Sequence, residues 1–366
     1  MVYKAIGLMS GSSLDGLDIA YVHLQETAGK WTYEIIHTAC SPYSAEWTEK
    51  LINAVHLSAL DYQLLHTAYG QYTGEAVNKF IDHNNLHHQV HLVASHGHTT
   101  FHLPKQKTTT QLGDGAAIAA ITGLPVVSDL RALDIAFGGQ GAPIVPIGEK
   151  LLLHEYDWFL NLGGIANLSS NQPGKYIAFD VCPANRVLNL VIQKTGKAYD
   201  DEGKIAATGT VNKILLDKLN ELDYYRQGFP KSLANDFGTA TVYPLLQQYP
   251  VSTEDALRTY VEHIAVQIKN AVQSITASSA AISGSKLLIT GGGALNTFMV
   301  KCINEQLKQT GIETIVPDMQ LVNYKEALVM ALIGVLRWRE EYNVLSSVTG
   351  AARNSINGAL WLGGEA

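Results

Sequence analysis

Charge is scarce in this chain. Only 16 % of its residues are Asp, Glu, Lys or Arg, and the formal net charge is −7. That composition cannot build the basic face that phosphate-backbone binding needs, so nucleic acid is not an expected partner. Cysteine is scarce too. Cys40, Cys182 and Cys302 are an odd number at no metal-like spacing, and a reducing cytosol is the simplest setting for them. No run of about 18 apolar residues occurs, so no membrane span is expected. The opening MVYKAIGLMSGSS is apolar over too short a stretch for a secretory signal. Hydrophobic residues nevertheless make up 46 % of the 366, enough to offset the entropy of ordering the chain and to exclude a disordered protein. The length fits two domains or one large α/β unit. Glycine is in mild excess, 32 residues against an average near 7 %, and its positions are more informative than its number.

The chain opens as strand, loop, strand. Tyr3–Met9 is apolar, Ser10–Asp15 is small and polar, and Leu17–Leu24 alternates. The pattern returns at Trp158–Leu162, Gly163-Gly164 and Ile165–Leu168, which points to a duplicated fold. Helices are expected at Ser44–Leu60, Tyr62–Asn84, Gly115–Gly123, from Ser252 onward, at Asn296–Leu307 and at Glu326–Glu340. Further strands are expected at Gln89–Ala94, Val126-Val127, Tyr176–Phe179 and Lys286–Thr290. Alternating strands and helices imply an α/β protein. The turn residues of Asp129–Pro146 mark a hinge, which divides the chain into 1–130 plus 343–366 and 131–342.

Several loops carry candidate chemistry. In GSSLDGLD, Gly11 and Gly16 permit close backbone approach, exposed amides with Ser12 and Ser13 can cradle phosphate, and Asp15 and Asp18 can hold Mg²⁺ through water. The loop lacks the Lys-Ser/Thr of a Walker sequence and also fits an ordinary hairpin turn. Gly163 and Gly164 repeat that chemistry, so two hairpins could grip a triphosphate. GGGALN at 291–296 joins a strand to a helix. It suits a bound anion or simply tight packing, and Asn296 stands where a dinucleotide fingerprint would need glycine. Asp180 ends a strand, in position for a general base or for a cap on a helix begun by Pro183. Arg131, Asp134 and Gln140 form a polar loop suited to a sugar or carboxylate, or to a hinge with an internal Arg–Asp pair. The SHGHT segment at 95–99 resembles a sugar-binding loop. His83, His87, His88, His91, His96, His98 and His102 cluster without an HExxH or cysteine partner, so a solvated face is expected in preference to a metal site. Asp200, Asp201 and Glu202 read as a solvated acidic turn.

In order, these segments resemble the anhydro-N-acetylmuramic acid kinase family, of the actin, hexokinase and Hsp70 superfamily. The resemblance rests on GLMSGSSLDGLD (7–18), SHGHTT (95–100), LPVVSDLRALDIAFGGQGAPIVP (124–146), LNLGGIANLS (160–169), FDVCPAN (179–185), YDDEGKIAATG (199–209), PKS (230–232), ITGGGALN (289–296) and VTGA (348–351). It implies a two-domain actin-like ATPase fold of the ribonuclease H-like kind, with ATP in the interdomain cleft. It further implies phosphates on the loop from Ser10 through Gly11, Ser12, Ser13, Asp15 and Gly16 to Asp18, and adenosine near Gly291, Gly292, Gly293 and Asn296. The sugar is expected near His96, Gly97, Arg131, Gly138, Gly139 and Gln140, with Asp180 as catalytic base. The implied reaction opens the 1,6-anhydro ring of 1,6-anhydro-N-acetylmuramic acid with water and phosphorylates O6, using ATP and Mg²⁺, in peptidoglycan recycling by a cytoplasmic homodimer. The chain departs from the family pattern at Val181, Cys182 and Ala184, where threonine and two glycines are usual. It departs also at Asn189, where an aspartate is common, at His98, where a glutamine is, and at Leu233–Phe237. A kinase of another sugar, or a nucleotide-dependent sugar-binding protein that has lost catalysis, is the alternative.

Overall fold

The first apolar strand has to find partners for both of its edges. In the computed structural model it does so within a six-stranded sheet. Residues 1–11, 14–172, 175–229, 231–234, 236–276 and 284–364 are described. Strands β1 (Val2–Ser10), β2 (Gly16–Thr27) and β3 (Lys30–Pro42) form an antiparallel meander. On the other edge of β1, β4 (Leu92–Ser95) and then β7 (Val126–Ser128) add in parallel, and β13 (Ala359–Trp361) closes the far side. The hairpin β5 (His98–Leu103) and β6 (Thr108–Leu112) stands apart as its own ribbon.

The second sheet repeats the scheme. Strands β8 (Trp158–Leu162), β9 (Ile165–Gln172) and β10 (Lys175–Pro183) form the meander. β11 (Lys286–Thr290) and β12 (Glu313–Ile315) then extend it in parallel from β8. Both sheets therefore run third–second–first–fourth–fifth, the ribonuclease H-like order, and its duplication in one chain is the actin-like class. Position also corresponds within the pair: Asp18 is the third residue of β2 and Asn167 the third of β9.

The chain divides into two units, residues 1–154 with 324–366, and residues 155–323. This departs from the division expected at 130/131 and 342/343. The physical reason is that Asp129–Pro146 is not a hinge. Asp134 is fully buried in the first unit: its main-chain N–H donates to Asn357 Oδ1 (2.9 Å), and its carboxylate accepts from Gly141 N (2.8 Å) and Thr349 Oγ1 (2.8 Å). Asn343 and Asn357 extend this buried polar network toward the C-terminus. Asp134 is thus committed to the fold and does not face a ligand, contrary to the expectation for that loop.

Local capping explains other differences. The single helix expected over Ser44–Leu60 is broken, because Ser44 caps one helix (Ala45–Asn53) and Ser58 caps the next (Ala59–His83), each accepting a main-chain N–H. The last long helix starts earlier than expected, spanning Met319–Trp338. It is the one helix among the described residues long and apolar enough to cross a bilayer, yet 72 % of its most apolar window is buried inside the protein. The first core packs Ile6, Leu8, Ile19, Val77, Phe80, Val93 and Ile118. The second packs Trp158, Leu160, Val187, Tyr260, Ile264, Ile268 and Ile289.

Within the first unit, Lys325 and Glu149 form an ion pair at 3.0 Å with side chains 3 % and 5 % exposed. Lys325→Met breaks this buried pair and is expected to lower stability in urea unfolding by about 3–5 kcal/mol. Lys325→Met with Glu149→Leu should recover most of that loss, because two apolar groups then replace the pair.

Candidate active site

In the first unit, β1 delivers Ser10 and β2 begins at Gly16. Ser12 and Ser13 lie outside the described residues. The Ser10 side chain is buried, and its oxygen accepts a hydrogen bond from Tyr43 Oη (2.8 Å) and lies 3.0 Å from His98 Nδ1. Its hydroxyl is therefore occupied inside the fold. A side chain at Gly16 would meet Cys40 Sγ and the Ser41 carbonyl at 2.6 Å, so this glycine serves the packing of β3. Asp15 is exposed and Asp18 half-buried. Burial is the main cause that pushes the Asp18 carboxyl up to about 6; Asp15 and Glu326 add repulsion and a hydrogen bond with Cys40 opposes it. Glu326 is raised as well, chiefly by burial.

The Ser95–Thr99 segment turns at Gly97, whose φ is +71° and whose missing side chain makes room for the Leu112 carbonyl. His96 is buried. Its Nε2 accepts from Arg131 Nε (2.9 Å), so Nδ1 carries the proton and donates to the Gly97 carbonyl (2.8 Å). Burial, and secondarily the Arg131 cation, hold its pKa down to about 3, so the ring is neutral. Both ring nitrogens of His96, a residue expected near the sugar, have protein partners, Nε2 at Arg131 and Nδ1 at Gly97. Arg131 also donates to the Gly141 carbonyl. Burial lowers its pKa to about 10, leaving it a cation at neutral pH. Of the loop glycines, Gly138 opens onto free space, while Gly139 packs against the Asp134 carboxylate. Gln140 is exposed and is tied by its main chain to the Thr349 carbonyl (2.8 Å). The histidine cluster disperses: His87 and His88 are exposed, His96 and His98 buried, and no group of three or more His, Cys, Asp or Glu suited to a metal occurs among the described residues.

In the second unit, the β8–β9 turn is laced to the helix Asn185–Ile192. Ala184 N donates to the Gly164 carbonyl (2.8 Å), Asn185 N to Gly163 (3.1 Å) and Asn185 Nδ2 to Leu162 (3.0 Å). Nothing closer than 3.5 Å would meet a side chain at Gly163 or Gly164, so both leave the outer face of the turn open.

Asp180 lies on β10 directly opposite Asn167. It does not cap the helix that follows, whose N-cap is Ala184. Its Oδ1 accepts from Asn167 Nδ2 (2.8 Å), and its Oδ2 accepts from Leu233 N (2.8 Å) and Ser232 Oγ (3.3 Å). Its carbonyl accepts from Tyr224 Oη (2.6 Å). Burial raises its pKa above the ordinary 3.8, and the Leu233 and Ser232 bonds oppose the rise. Val181 and Cys182, the departures beside it, are buried in the core next to a β-bulge. Asn167, Ser232 and Leu233 lie in the segments 160–169, 230–232 and 233–237, where residue type alone gives them no role beside Asp180. Asn167 was findable by counting outward along the hairpin from the Gln172–Lys175 pair.

Gly291 (φ +80°) and Gly293 pack on the end of β8: a side chain at either would meet Asn161 Oδ1 (2.5 Å) or Leu162 Cβ (2.6 Å). Only Gly292 faces open space. Asn296, expected near adenosine, caps the helix Thr297–Leu307 through its Oδ1 (2.9 Å to Met299 N). Asp200 is likewise a local cap, accepting from Ile205 N and Ala206 N.

Two sheets of ribonuclease H-like strand order in one chain define the actin-like class of fold. A model of the family "Anhydro-N-acetylmuramic acid kinase" matches residues 3–363, and the chain belongs to that family. It is 32 % identical to the anhydro-N-acetylmuramic acid kinase of Vibrio parahaemolyticus, covering 97 % of each chain, and 31 % identical to that of Haemophilus influenzae, again with 97 % coverage of each. The Rhizorhabdus wittichii enzyme is 34 % identical over 84 % of each. Among solved structures, the activator of 2-hydroxyisocaproyl-CoA dehydratase from Clostridium difficile with bound ADPNP aligns over 93 % of this chain and 97 % of its own, at 14 % identity and a TM-score of 0.42.

The two kinds of glycine predict different outcomes. Gly293→Ala should lower the thermal unfolding midpoint by several degrees, because Leu162 must shift. Gly292→Ala should leave the midpoint unchanged within error.

Proposed function

We propose that this protein is an ATP-dependent kinase that opens 1,6-anhydro-N-acetylmuramic acid and yields N-acetylmuramic acid 6-phosphate. The observation that carries the reading is the clamped Asp180 in a chain that belongs to this family from residue 3 to residue 363. Three donors fix the carboxylate's orientation, while burial keeps its basicity above that of a solvated aspartate. Asp180 takes a proton from water as the water oxygen bonds to C1. The C1–O6 bond breaks and its electron pair goes to O6. O6 then bonds to the γ-phosphorus in line, the bond to the bridging oxygen breaks, and ADP leaves.

Arg131 suits the sugar's carboxylate: His96 and Gly141 fix one side of the guanidinium, and its remaining N–H groups can form a charge-assisted pair. Gly97, Gly138, Gly139 and Gln140 shape the same region. Within the second unit, the open Gly163-Gly164 turn suits phosphate, and Gly292 suits adenosine with Gly291 and Gly293 as its support; within the first unit, phosphate is assigned to the segment of Ser10, Gly11, Asp15, Gly16 and Asp18. The donor set at Asp15 and Asp18 is all oxygen, and Asp18 is a carboxylate whose charge burial opposes, so a hard divalent cation fits there. Mg²⁺ bound with ATP would be held by Asp15 and Asp18 through water and would neutralise phosphoryl charge. The free, unpaired state of Cys40, Cys182 and Cys302 supports a cytosolic setting. Peptidoglycan recycling and a homodimeric state rest on the family likeness alone.

Asp180→Asn should lower turnover by about 10³-fold while leaving nucleotide affinity nearly unchanged, measured by ADP release and by nucleotide titration. Near-normal turnover would remove Asp180 from the role of base. Because the raised group must be ionised to act, kcat/KM should fall as pH drops through a value above 3.8, not at it.

A further inference from the structure

We infer that the His96-Gly97-His98 turn is a positioning device that holds the sugar-binding arginine with one histidine and the start of the phosphate loop with the other. This rests on the roles proposed above for Arg131 and the Gly11–Asp18 loop. The left-handed Gly97 sends consecutive side chains to different partners. His96 Nε2 receives Arg131 Nε at 2.9 Å, and the His96 main-chain N–H donates to the Leu8 carbonyl (3.1 Å), which fixes the turn to β1. On its other side, His98 Nδ1 lies 3.0 Å from Ser10 Oγ, the last residue of that same strand.

The second arm is part of a buried cluster. Tyr43 donates its hydroxyl proton to Ser10 Oγ, so the contact between Tyr43 and Tyr69 is donated by Tyr69. Ser10 Oγ and His98 Nδ1 share the next hydrogen bond, whose donor follows from the His98 tautomer. Tyr43, Tyr69 and His98 together pin Ser10, the residue from which the phosphate loop departs. The first arm is equally constrained. An imidazole that accepts from a guanidinium has to be neutral, and burial keeps both His96 and His98 from protonating. Neither histidine touches a reacting group in this arrangement. Each acts through the group it holds.

The two arms predict separable kinetic defects, which loss of packing would not produce. KM for 1,6-anhydro-N-acetylmuramic acid and KM for ATP are measured for His96→Phe, His96→Gln, His98→Leu, His98→Gln, Arg131→Ala and His96→Phe with Arg131→Ala, with thermal unfolding alongside. His96→Phe should raise the sugar KM roughly tenfold and leave the ATP KM within about twofold. His98→Leu should do the reverse. Each glutamine variant, which keeps a hydrogen-bonding group, should recover most of the corresponding loss. In the Arg131→Ala background, His96→Phe should add nothing further to the sugar KM. Parallel shifts of both KM values in both histidine variants, or failure of glutamine to rescue, would overturn the inference. So would additivity of His96→Phe with Arg131→Ala while Arg131→Ala alone raises the sugar KM. An unchanged sugar KM in Arg131→Ala would instead overturn the sugar-binding role of Arg131, and the His96 arm with it.

Discussion

In its proposed role as base, Asp180 has to be charged where its surroundings oppose charge. A carboxylate in bulk water is a weak base. One buried without donors would stay protonated at working pH. The second unit resolves this by placing Asp180 on the edge strand of a meander, with Asn167 directly across the hairpin and the Ser232-Leu233 main chain arriving from a separate segment. Burial raises the Asp180 pKa, the Leu233 and Ser232 bonds oppose the rise, and the three donors orient the carboxylate, the balance that the proposed role of base requires. Much of the surrounding fold follows from it. Tyr224 fastens the Asp180 carbonyl, the β-bulge sinks Val181 and Cys182 into the core, and the glycine turn at 163–164 is tied to the helix that continues from β10.

The first unit, built on the same strand order, has diverged in what it places at the matching position. Where β9 carries Asn167, a donor, β2 carries Asp18, a carboxylate among carboxylates. In the roles proposed above, a donor at this point serves a base and an acidic group serves a cation, because function lies in the residues grafted at strand ends and not in the sheet itself.

Strands β1 and β2 of the first meander and all three strands of the second are legible in the sequence, since alternation and apolar runs between turns report burial directly. So was the duplication. Strand β3 and the β5–β6 hairpin were not read. Lys30–Pro42 is only partly buried, and a half-exposed edge strand carries a diluted alternation. The polar loop around Arg131 looked like a hinge because turn residues mark any tight path of chain. What fixes it is a partner more than 200 residues away, Thr349 or Asn357, which no local pattern reveals. The same limit applies to His96 and Asn296. Their residue types suggested ligand contact, whereas in three dimensions an arginine and a helix end claim their polar atoms first. Glycine shows both sides: of the GGG at 291–293, two positions answer to packing and one to open space.

The central claim is that water activated by Asp180 attacks C1 and that the sugar's own O6 becomes the phosphate ester. Turnover in ¹⁸O-labelled water, quenched early and compared with unlabelled product held in the same water for the same time, tests it most directly. The account predicts one ¹⁸O at the C1 hydroxyl, above the exchange seen in the control, and none in the phosphate ester. Label in the ester linkage, with no excess at C1, would contradict it.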